Sequence, residues 1–91
     1  FLDFAIHDQQ IELKLEELPV QAASRIADVT LVESGIRQQL DLIIVAIKKG
    51  SGEMLFNPAS QTRIQIGDTL IALGQKKSLA TLGELLGNET P

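Results

Sequence analysis

Apolar and polar residues alternate without a break from Ile11 to Glu16, with Ile11, Leu13 and Leu15 on one side and Glu12, Lys14 and Glu16 on the other. A period of two predicts a half-buried strand with one wet face. Pro19 removes a backbone donor and ends it. The small and polar residues from Val20 to Asp28 predict a connection, with Ile26 dipping into the core. Thr30 and Glu33 then have capping-box spacing, in which the hydroxyl accepts from the amide three residues on and the glutamate reaches back. A short helix is predicted from here, with Val32, Ile36 and Leu40 facing inward and Gln38 and Gln39 outward. Gly35 weakens it by ~1 kcal/mol relative to alanine, which predicts a broken or two-part helix.

The most apolar stretch follows. Leu42 to Ile47 reads as a buried strand, Met54 to Phe56 as a short strand ended by Asn57 and Pro58, and Ile64 to Gly74 as another buried strand announced by the Gly67-Asp68 turn. A last helix starts at Lys76 or Ser78, buries Leu79, Leu82, Leu85 and Leu86, and ends at Gly87. Asn88 to Pro91 is expected to fray. The opening residues 1–10 carry Phe1, Leu2, Phe4 and Ile6 before a polar break at His7 to Gln10, a pattern that fits a short strand or a helical turn equally.

Composition narrows the possible chemistry. Aromatic residues are only 3% of the chain, with no Trp or Tyr, so the core is aliphatic and stacking of a ligand on aromatic rings is disfavoured. A formal charge of −4 opposes docking on a phosphate backbone, where clustered Lys and Arg must displace counterions, so no nucleic acid is expected as a partner. The absence of cysteine excludes disulfides, thiolate catalysis and Cys-type zinc sites. The apolar run from Leu42 to Ile47 is far short of the ~20 residues that span a bilayer. The chain begins Phe1-Leu2-Asp3 rather than with Met, which is expected of a piece of a longer polypeptide.

Taken together, Ile36-Arg37, the run Ile44 to Gly50, Asn57-Pro58, Ile66 to Gly74 and the Leu-rich closing helix resemble the TrkA C-terminal domain, also called the RCK C-terminal domain. This is the ligand-sensing lobe of potassium channel and transporter gating assemblies. The resemblance implies an α+β fold with a mainly antiparallel sheet and two short helices. It also implies a single domain over 1–91, with its core at 11–87 and residues 1–10 as the junction to a preceding RCK N-terminal lobe. As partners it implies a second copy of the chain, paired two-fold within a larger ring, and the membrane pore of a parent protein. The expected location is the cytoplasmic face of the membrane.

By the same resemblance, a small effector binds near the dimer interface, and members that bind cyclic di-AMP use an arginine at the position of Arg37 to contact a phosphate. An asparagine that helps in those members corresponds here to Ile43. Arg37, its neighbour Ile36 and Ile43 are therefore the candidate ligand-binding residues. A surface salt bridge is the competing account of Arg37. No cofactor is certain, and the effector classes that fit are a cyclic dinucleotide, a nucleotide or a divalent cation. Glu12, Glu16 and Glu17 do not have the loop spacing of a calcium site, so no metal residue is expected. His7-Asp8 lacks a convincing nucleophile, and no catalytic residue is expected. Gly67-Asp68 reads as turn architecture, and the Lys48-Lys49 and Lys76-Lys77 pairs as solvated turns.

Overall fold

The computed structural model describes residues 4–8 and 11–88, with side chains from Glu12 onward. The elements in chain order are β1 (Phe4–Asp8), β2 (Ile11–Pro19), β3 (Val29–Thr30), α1 (Leu31–Ser34), α2 (Ile36–Gln39), β4 (Leu42–Lys48), β5 (Met54–Phe56), β6 (Arg63–Ile64), β7 (Thr69–Gly74) and α3 (Lys76–Leu85). Five strands form one sheet in the order β1-β2-β7-β4-β5, with every pairing antiparallel, and β3 pairs with β6 apart from it. The expected α+β class holds. Part of the opening segment is a strand, because β1 finds a ladder on β2; residues 1–3 and 9–10 lie outside the described residues.

The described residues form three helices rather than two. Gly35 adopts φ 71°, at once the C-cap of α1 and the N-cap of α2, and breaks the segment in two. A side chain here would be strained, and its Cβ would also meet the Gln39 side chain at 2.9 Å. The break corrects one core assignment. Val32 is 50% exposed while Leu31 is fully buried, because the kink at Gly35 cancels the helical spacing that would have set Val32 above Ile36. The capping box forms as the spacing predicts: Thr30 Oγ1 accepts from the Glu33 amide at 3.2 Å and the Glu33 carboxylate accepts from the Thr30 amide at 2.9 Å. The bond from the Thr30 amide, and after it one that the Thr30 hydroxyl donates to the same carboxylate oxygen at 3.0 Å, hold the Glu33 carboxyl below its ordinary pKa, with Arg63 adding a smaller pull.

The core lies on one face of the sheet. Leu70 and Ala72 of β7 meet Ile47 and Ile44 of β4, and α3 covers them with Leu79, Leu82 and Leu86. A bulge at Val45 keeps this face continuous: Ile44 pairs with Ala72 and Ala46 with Ile71, so Ile44 and Ile47 both point to the core although they are an odd three positions apart. Each fully buried Leu or Ile contributes about 1.5–3 kcal/mol. β2 joins this face through Leu18, which pairs with Leu70. Leu13 and Leu15, of the opposite parity, therefore lie on the other face of the sheet.

Two regions predicted to be solvated are stitched down. Asn88 Nδ2 donates to the Pro19 carbonyl at 2.9 Å and Asn88 Oδ1 accepts from Gln21 at 3.1 Å, so the fraying expected from residue 88 does not include it. Residues 89–91 lie outside the described residues. Lys49 differs from its exposed neighbour Lys48. Its Nζ donates to Asp68 Oδ2 at 2.5 Å and to the Arg63 carbonyl at 3.2 Å, while Asp68, 2% exposed, also accepts from the amides of Gly50 and Gln65 at 3.2 and 3.0 Å. A buried carboxylate must be satisfied in this way, and here it fastens the β4–β5 turn to the turn before β7.

Candidate effector groove

At the end of the ladder opposite Asp68, β4 begins and β7 stops. Leu42 pairs with Gly74 and Ile43 with Leu73. A Cβ on Gly74 would fall 2.9 Å from Leu42 Cβ, so only glycine lets the strands close here at their normal spacing. Just before β4, Asp41 takes φ 45°, a left-handed conformation that Asp tolerates better than most residues. It turns the chain from α2 into the strand. The result is a groove of about 280 Å³ at the strand ends, lined by the apolar Leu13, Leu42, Ile43, Leu73 and Gly74 together with Arg37 and Asp41.

Arg37 is half-buried, and its Nη2 donates to the Pro58 carbonyl at 2.9 Å. Pro58 is itself buried behind Asn57, whose amide is held by the Val45 carbonyl of the bulge at 2.8 Å. Of the five guanidinium N–H donors, this bond uses one. Neither a surface salt bridge nor any other side-chain partner engages Arg37 among the described residues; it is tethered at one side, beside apolar side chains. Ile43 is 60% exposed and lines the same groove. Ile36 stands apart from the other two candidates. It is 1% exposed in the core, where it anchors α2 and so fixes the position from which Arg37 reaches out. Sequence reasoning missed Leu13, Asp41, Leu73 and Gly74 as groove residues, because they come together only through the β2-β7-β4 register.

The groove opens onto the sheet face that α3 leaves uncovered. Across it run the rows Leu15–Leu73–Ile43 and Ile71–Ala46–Phe56, with Phe56 75% exposed. Among the described residues no three His, Cys, Asp or Glu side chains are grouped to hold a metal ion, and no helix is long and apolar enough to cross a membrane. His7 and Asp8 fall in β1, where only the backbone is described.

Comparison with known proteins accords with this geometry. The chain is 34% identical over 71 residues to the K(+)/H(+) antiporter subunit KhtT of Bacillus subtilis (strain 168), a match that covers 78% of this chain and 43% of KhtT, so the chain spans less than half of that relative. Among solved structures, the RCK domain of GsuK superposes with a TM-score of 0.69 at 36% identity, over 98% of this chain and 19% of that one. The RCK C domain of the potassium transport protein KtrA in complex with cyclic di-AMP gives a TM-score of 0.67 at 30% identity, over 77% and 79% of the two chains. The RCK_C domain dimer of Streptococcus agalactiae BusR with cyclic di-AMP gives 0.73 over 80% and 89%, and at 22% identity that likeness is one of fold; BusR has also been solved with its promoter DNA. The TrkA-C domain family model matches residues 15–87, most of the sheet and all three helices, and with it the conclusion follows that this chain belongs to the TrkA-C domain family.

Proposed function

We propose that this chain is a ligand-sensing regulatory domain of a potassium channel or transporter, acting without catalysis as a two-fold dimer whose arrangement a small effector biases. One observation carries the reading: Arg37 and Ile43, the two positions that the resemblance marks out, line a single groove in which the guanidinium keeps free donors beside apolar side chains. Such a site suits a phosphate, for which arginine offers bidentate geometry. It does not suit a divalent cation. The effector class is a cyclic dinucleotide, as bound by KtrA in its solved complex. A two-fold ligand matches an isologous dimer, in which each copy presents the same groove. The groove lies at the low end of the volumes that ligand pockets usually have, which fits a site completed by two copies.

The apolar face with Ile43, Leu73, Ile71 and Phe56 is the surface on which the second copy packs. Residues 1–91 form one domain, with 1–10 as the junction to a nucleotide-binding lobe, and the parent places it at the cytoplasmic face of the membrane. Likeness to KhtT supports a transporter subunit as the parent, and likeness to GsuK supports a channel. Whatever the parent, the effector acts by binding one dimer arrangement better than another, because equal affinity shifts nothing.

Thermal unfolding with cyclic di-AMP, mononucleotides and divalent cations tests the sensor. A ligand at about 100 times its dissociation constant adds about 2.7 kcal/mol. No shift with any of them means that the domain only holds an assembly together. Sedimentation showing a monomer at high concentration would sink the dimer and with it both readings.

A further inference from the structure

Arg37 and Asp41 line the same groove with opposite charges, four residues apart, and do not pair with each other. Asp41 is exposed, and among the described residues its carboxylate accepts no hydrogen bond, in contrast to Asp68 with its three donors. A carboxylate beside a phosphate site has a definite cost. It is an acceptor only, and it repels any anion that Arg37 attracts. The opposition is relieved when the ligand itself brings an N–H donor to the carboxylate while its phosphate meets the guanidinium.

We propose that Asp41 is a specificity-determining residue of the groove: it accepts an N–H from the same ligand whose phosphate Arg37 holds, so the site takes a nucleotide with an amino-bearing base and rejects bare anions. This rests on the reading of Arg37 as the phosphate contact. The backbone makes Asp41 a clean place to test it, because φ 45° is open to Asn and Gly alike. Neither replacement strains the turn into β4.

Titration calorimetry on the full chain, with cyclic di-AMP and inorganic phosphate as probes, compares wild type with Asp41→Gly, Asp41→Asn and Arg37→Gln. Asp41→Gly should weaken cyclic di-AMP about tenfold, the worth of one charge-assisted hydrogen bond, and tighten inorganic phosphate. Asp41→Asn should move both probes in the same directions by less. Arg37→Gln should lose both. If both Asp41 variants bind both probes within twofold of wild type while Arg37→Gln fails, the role of Asp41 is overturned and the phosphate reading stands. If Arg37→Gln binds like wild type, or wild type does not bind cyclic di-AMP, both are overturned. Wild-type affinity for phosphate equal to that for cyclic di-AMP overturns the selectivity alone.

Discussion

The two ends of the β4–β7 ladder are built on the same plan and finished differently. At one end Asp68 is buried and satisfied by Lys49 and two backbone amides, so the turns around it are locked. At the other, Arg37 makes one bond to the Pro58 carbonyl and faces an open apolar groove beside the Asp41 carboxylate, which has no partner among the described residues. A charge with all its partners inside the fold belongs to stability. One that the fold positions but does not satisfy has capacity left for a ligand.

The sharpest way to break this contrast is at the closed end. Asp68→Ala leaves Lys49 and two amides without their acceptor and is expected to cost on the order of 3 kcal/mol in urea unfolding; a loss below about 1 kcal/mol would mean that the hub is dispensable. Gly35→Ala should cost about 1–2 kcal/mol from the left-handed backbone, and it should disturb the groove by moving α2. Unchanged stability here would show that the kink relaxes freely. Arg37→Gln removes one hydrogen bond, for about 1 kcal/mol or less, yet should erase any thermal shift with cyclic di-AMP. A variant that loses several kcal/mol instead would place Arg37 with Asp68 among structural charges.

The smallest effect lies away from both ends. Because Glu33 has a lowered pKa in the folded state, its contribution is present above the ordinary Glu value of 4.5 and is lost as pH falls through the lowered value. The stability difference between wild type and Glu33→Gln should narrow as pH falls below the ordinary Glu value and through the lowered one. A constant gap would mean that the cap gains nothing from the charge.

Local signals were legible in the sequence. Thr30 and Glu33 specified their cap, Pro19 ended its strand, and Gly87, at φ 86°, stands just past α3. Judgements that needed a distant partner fared worse. Lys49 read as a solvated turn residue because its acceptor lies 19 positions away, and Asn88 as a loose end because its partners are at Pro19 and Gln21. The alternation of Leu13 and Leu15 gave the strand, but only the pairing of Leu18 with Leu70 decides which face of the sheet they occupy. Likewise Arg37 and Ile43 were visible one by one, whereas the groove needs the register of three strands and the missing side chain of Gly74.

The bulge in β4 separates two inheritances. Deleting Val45 would leave all six cross-strand pairs between β4 and β7 as they are, since the ladder already skips that residue. What would go is the carbonyl that holds Asn57, and with it the placement of Pro58 and the tether of Arg37. A lineage could thus lose or gain a single codon at this point and change the hold on Arg37 with its interior untouched.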